Sequence, residues 1–143
     1  SDPTQNRGPA MIVADTNLLV YLYVAGQRTG QAEAALAKDP LWVAPLLWRS
    51  EFRNTLAGLV RRKALALEDA LRIVDDAERA MAGREYSVLS HHVLQLAARS
   101  GCSAYDCEFV ALAQDLGVSF VTSDRQVLAS FPTTAVSLDV FTA

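Results

Sequence analysis

The chain has 143 residues, 51% of them apolar, with 13 Lys and Arg against 16 Asp and Glu for a formal charge of −3. That is one domain's length, with enough apolar material to bury a core without disulfides or a structural metal. The slight acidity excludes a protein that coats a duplex by charge alone, because neutralising many phosphates takes a basic face.

Residues 1–10 are polar and rich in Gly and Pro, and they read as a cloning remnant ahead of a domain over residues 11–143. Met11–Ala14 opens that domain as a short apolar strand. A helix is expected over 17–25 and a second over 31–38, the latter stopped by Asp39-Pro40. After a strand at 41–44, the longest helix, 46–63, starts behind Pro45 and ends on Arg61-Arg62-Lys63, where the helix dipole favours cations.

Leu67, Ala70, Leu71, Val74, Ala77 and Met81 make one amphipathic stripe, with Gly83 as its stop. A strand follows at 86–89. Ser90 is placed to cap a helix over 91–99, with Gly101 beyond it, and Ser103 to cap another over Ala104–Leu116, with Gly117 beyond it. Ser119–Thr122 is the fourth strand, 124–129 a short helix and 135–138 the last strand.

Strands alternating with helices predict an α/β fold, a parallel β-sheet of about five strands with helices on both faces. No apolar run reaches the roughly 20 residues that cross a bilayer, and no signal peptide is recognisable, so the expected setting is cytoplasmic with no membrane. Cys102 and Cys107 fit neither a redox pair nor a zinc set and are expected to be buried free thiols.

In parallel sheets, ligands bind beyond the carboxyl ends of the strands. Asp15 directly follows the first strand and Asp124 follows the fourth in Thr122-Ser123-Asp124, while Glu51 and Asp106 lie in the early turns of helices that begin at the same edge. Singly, such acids are turn formers or dipole partners. Together they repel one another, by roughly 4 kcal/mol for a pair about 4 Å apart at an effective dielectric near 20. A hard divalent cation, Mg2+ or Mn2+, offsets that repulsion and serves phosphodiester hydrolysis. Thr16, Asn17, Thr122 and Ser123 supply small polar groups to orient the acids, or else cap the adjoining helices. Asn54, Thr55, Gly58 and Arg62 share the helix face of Glu51, whereas Arg49 and Arg53 point elsewhere. Arg62 is thereby a candidate RNA-phosphate contact, against the plainer reading of a helix-end charge, and Gly58 a place for a nucleic-acid backbone or a close helix contact.

Val13-Ala14-Asp15-Thr16-Asn17, Ser50-Glu51, Ser103-Ala104-Tyr105-Asp106 followed by Ala111-Leu112-Ala113, and Val121-Thr122-Ser123-Asp124 resemble, in order, the four acidic motifs of PIN domains. The short single-domain length resembles the VapC-type toxins within that family. The resemblance implies a Mg2+- or Mn2+-dependent endoribonuclease cutting tRNA or ribosomal RNA, inhibited by a cognate antitoxin and homodimeric. It implies that Asp15, Glu51, Asp106 and Asp124 are the metal ligands, with Thr122 in support.

Three rivals stand beside it. A receiver-type signalling domain needs a lysine near a late strand, and this chain has only Lys38 and Lys63. A non-catalytic PIN fold serving as an RNA-binding surface is expected to lack one or more acids, and none is missing. A flap-type DNA nuclease needs DNA-binding elements for which the chain has no room. His91-His92 reads as a helix start, with no third ligand nearby to make a metal site.

Overall fold

The computed structural model describes residues 11–143. The segment read above as a cloning remnant, 1–10, lies outside them. Short apolar runs become strands and periodic segments helices, with several bounds shifted. The order is β1 (Met11–Ala14), α1 (Thr16–Tyr23), α2 (Thr29–Lys38), β2 (Leu41–Pro45), α3 (Trp48–Arg61), α4 (Leu67–Met81) and β3 (Glu85–Tyr86). Then come α5 (Ser90–Ser100), α6 (Ala104–Leu116), β4 (Ser119–Thr122), α7 (Arg125–Ser130), β5 (Ala135–Ser137) and α8 (Leu138–Phe141).

The five strands form one sheet in the order β3-β2-β1-β4-β5, with every pairing parallel. Consecutive residues Ile12, Val13 and Ala14 of β1, and Phe120, Val121 and Thr122 of β4, are all buried, so helices cover the sheet on both faces. From β1 the chain builds outward through β2 and β3 on one side, then returns to the other side for β4 and β5. The order therefore reverses between β1 and β4, which opens a crevice at their carboxyl ends. Stacked Phe109 and Phe120, with ring centroids 5.4 Å apart, pack α6 against β4 under that crevice. Among the described residues, no helix is long and apolar enough to cross a membrane.

The structure moves several expected boundaries. Pro45 does not open the long helix. It ends β2, paired with Tyr86, and the Leu46 N–H continues the ladder to the Tyr86 carbonyl at 3.1 Å. The helix starts at Trp48 and stops at Arg61, because Lys63 adopts a left-handed φ of 60°. Ser90 lies inside α5 rather than capping it; Leu89 holds the cap position, and no side chain bonds to the free N–H groups there. Of the strand expected over 86–89 only Tyr86 lies in β3, joined there by Glu85, and Leu89 is left 68% exposed. The last strand ends at Ser137, whose hydroxyl accepts from the Val140 N–H at 3.1 Å and so starts α8. Ser103 caps α6 as expected, accepting from the Asp106 N–H at 3.1 Å, and Gly101 and Gly117 take left-handed φ values after α5 and α6. Cys102 and Cys107 are free and buried.

Candidate active site

Beyond the carboxyl ends of β1 and β4 lies a pocket of about 490 Å3, whose lining includes Asp15, Glu51, Asp106 and Asp124. Each acid is delivered by local structure. Asp15 is the residue between β1 and α1, and its N–H bonds to the Val121 carbonyl at 3.1 Å, which ties it to β4. Glu51 lies in the first turn of α3 and Asp106 in the first turn of α6. Asp124 caps α7, its Oδ1 accepting from the Val127 N–H at 2.9 Å. Capping and pocket lining thus coincide in one side chain.

Two buried threonines aim two of the acids. The Thr122 hydroxyl donates to Asp15 Oδ2 at 2.6 Å, and the Thr16 hydroxyl donates to Glu51 Oε1 at 2.7 Å. Thr122 Oγ1 also accepts from the Asp124 N–H at 3.1 Å, so one hydroxyl sets two motifs. Asn17 and Ser123 line the pocket, as do Asn54 and Thr55 on the α3 face that carries Glu51.

The carboxyl groups carry their mutual repulsion. Burial raises Asp15 above the ordinary carboxylate range and the charge of Asp106 adds to it, against hydrogen bonds from Thr122 and from the backbone of Asn17 and Thr16. Glu51 is raised by burial and by the charges of Asp15, Asp106 and Glu108, opposed by the Thr16 hydrogen bond. Asp106 is raised by burial and by Asp124, opposed by the Ser103 hydrogen bond. Among the described residues, no cation is bonded to any of the four. Arg49 and Arg53 turn away to Glu85 and Glu78 on the far side of α3.

These donors fit a hard cation in chemistry, since all are oxygens and all face uncompensated charge. They do not form a closed cage: among the described residues, no three His, Cys, Asp or Glu side chains are gathered tightly enough to hold an ion between them. An open pocket lined by separated carboxylates suits an ion such as Mg2+, which keeps several waters and takes only one or two carboxylates directly.

Other expectations fall differently. Arg62 does not line the pocket. It follows α3, with its guanidinium folded back over Gly58, where a Cβ would stand 3.1 Å from Arg62 Nη1. The close neighbour of Gly58 is therefore this side chain rather than another helix. His92 bonds to Asp115 at 3.1 Å and to Gln114 at 2.9 Å, away from the pocket. Sequence reasoning missed Arg28, which reaches the pocket wall at Ser123 across 95 residues of chain. No local spacing signals a contact of that range.

Residues 12–132 match the PIN domain family. Ribonuclease VapC3 of Pyrobaculum aerophilum is 29% identical over 124 residues, covering 85% of this chain and 95% of that protein. Ribonuclease VapC9 of Mycobacterium tuberculosis is 33% identical over 117 residues, covering 82% and 88%. The fold also matches the solved structure of a toxin–antitoxin complex from Klebsiella pneumoniae with a TM-score of 0.63 at 18% identity, over 90% of this chain and 97% of that one.

Proposed function

The chain belongs to the PIN-domain family, and from that premise we propose that it is a metal-dependent endoribonuclease, the toxin of a toxin–antitoxin pair, formed by one domain over residues 11–143. The observation that carries this reading is the meeting of Asp15, Glu51, Asp106 and Asp124 in one pocket. The ribonuclease relatives support the reaction class. Asp15, Glu51, Asp106 and Asp124 are the side chains that would hold Mg2+ or Mn2+. Such an ion, when bound, supplies Lewis-acid stabilisation of the charge that builds at phosphorus.

The protein's own contribution is orientation. Thr122 fixes Asp15 by bonding to Oδ2, and Thr16 fixes Glu51 by bonding to Oε1, which leaves Oε2 for a ligand. Asn17, Ser123, Asn54 and Thr55 offer hydrogen bonds to the waters and phosphate oxygens of the bound substrate. In the hydrolysis a water oxygen bonds to phosphorus, the bond from phosphorus to one ribose oxygen breaks, and that oxygen takes up a proton. Arg62, which follows α3 and folds back over Gly58, would meet the RNA farther along the groove.

By the same reading the protein works in the cytoplasm, its partners are RNA, a cognate antitoxin and a second copy of the chain, and its targets are tRNA or ribosomal RNA. The experiment is cleavage of a labelled total-tRNA and ribosomal-RNA pool by antitoxin-free protein and by Asp15→Asn, with Mg2+, with Mn2+ and with EDTA. Metal-dependent cutting that Asp15→Asn abolishes is expected. Cutting that survives EDTA or the substitution would sink the proposal, and RNA binding without cutting in either metal would establish the non-catalytic PIN reading instead.

A further inference from the structure

We propose that Arg28 is a substrate-binding residue: it receives a backbone phosphate of single-stranded RNA at the mouth of the acidic pocket, in exchange for the carboxylate of Asp139. This rests on the ribonuclease reading above and names a side chain that carries the substrate to the acids. A pocket lined by four carboxylates repels a polyanion, and a cation at its rim offsets that repulsion. Most of the bonded cations are committed elsewhere. Arg49 and Arg53 hold Glu85 and Glu78, Arg72 and Arg79 pair with acids on their own helix, and Lys38 bonds to the Phe141 carbonyl.

Arg28 differs in place. Its Nη1 donates to Ser123 Oγ at 3.3 Å, and its Cζ lies 5.1 Å from the ring centroid of Tyr21. Ser123 and Tyr21 are both pocket wall. Gln31 Oε1 accepts from Nε at 3.2 Å and from Nη2 at 2.9 Å, so the guanidinium plane is set before any substrate arrives. A preset planar fork suits a phosphate.

The remaining partner is Asp139, whose Oδ1 accepts from Nη2 at 3.1 Å and from Gln31 Nε2 at 2.7 Å. Its side chain is 79% exposed, against 34% for Arg28. An ion pair so exposed is weak and exchangeable. Asp139 thus occupies, with an oxyanion of its own, the position that a phosphate oxygen takes when RNA is bound.

The test is binding of a fluorescent single-stranded RNA oligonucleotide over a KCl series at fixed Mg2+, in the Asp15→Asn background, which binds without cutting. Arg28→Gln should weaken binding and flatten the plot of log K against log[salt] by about 0.7, the increment for one phosphate contact on a single strand. Arg28→Lys should restore the slope. Asp139→Ala should tighten binding where Arg28 is present and leave it unchanged in Arg28→Gln, a coupling that general loss of negative charge does not produce. An unchanged slope in Arg28→Gln, or an Asp139→Ala gain that persists without Arg28, overturns the assignment while the nuclease reading stands. If Arg28→Gln does not fold, Asp139→Ala decides alone, and unaltered affinity in that variant overturns the exchange. Absence of RNA binding in the Asp15→Asn protein together with absence of cleavage by the wild type overturns both readings.

Discussion

Two glutamates at the two sides of α3 are held in opposite states. Glu85 accepts from Arg49 Nε at 2.6 Å, from Arg49 Nη2 at 2.8 Å and from Trp48 Nε1 at 2.8 Å, and these donors, Arg49 foremost, hold its carboxyl below the usual range. Glu51, only two residues beyond Arg49 on the same helix, meets among the described residues one hydroxyl and no cation, and burial with three neighbouring acids pushes it up. The first cluster is closed on itself and joins α3 to β3 and, through Glu78, to α4. The second keeps its charge unmatched at a cost to the fold. Matched charge ties elements together, whereas unmatched charge beside a pocket is capacity held for a ligand.

Breaking the unmatched side gives the largest effect. Asp15→Asn or Glu51→Gln should abolish RNA cleavage in a gel assay, beyond the ~10–100-fold loss typical of residues that only orient a metal ligand. Thr122→Val and Thr16→Val should fall within that ~10–100-fold range, because the acid remains and only its aim is lost. Cleavage by Thr122→Val at the wild-type rate would separate the hydroxyl from the site.

Breaking the matched side should act on stability instead. The Glu85 carboxyl is held below its ordinary value, so its contribution is complete above the unfolded value of about 4.5 and disappears as pH falls through the lower folded value. Glu85→Gln should therefore melt below wild type at pH 7, with the gap closing in acid, and cleave RNA normally once folded. Asp15, Glu51 and Asp106 have the opposite sign. Their folded values are raised, so the metal-free folded state binds protons more tightly than the unfolded chain, and stability falls as pH rises from the ordinary carboxylate range through the raised values. In EDTA at pH 7, Asp15→Asn should accordingly melt above wild type, and a lower melting point would contradict the account of an uncompensated cluster.

The smallest effect is expected at Gly58. An added Cβ meets only the far end of Arg62 at 3.1 Å, a flexible group that can shift. The Ala preference of about 1 kcal/mol in a helix interior should then stabilise the protein, with cleavage retained. A loss of cleavage in Gly58→Ala would place RNA backbone directly against that turn.

Much of this arrangement was legible in the residues. β1, α4, α6 and β4 have the bounds read from period and punctuation, because Ser103 and Gly117 flank α6 and the strands are near-continuous apolar runs. The four acids could be brought to one edge because each follows a strand or opens a helix, and parallel topology fixes where those ends lie. What local reading missed was set by tertiary contacts. Pro45 joins β2 because Tyr86 of β3 pairs with it, and Leu89 rather than Ser90 takes the cap position of α5. Arg28 was invisible for the same reason: its partners Ser123 and Asp139 lie 95 and 111 residues away. Glu85, by sequence merely another acid beside an arginine, owes its role to a helix starting 37 residues earlier.

The most direct test of the contrast is calorimetric titration of Mn2+ into metal-free wild type, Glu51→Gln and Glu85→Gln at pH 7. The account predicts that Glu51→Gln loses Mn2+ binding, whereas folded Glu85→Gln keeps it. Unchanged binding by Glu51→Gln, or equal loss in the two variants, would contradict it.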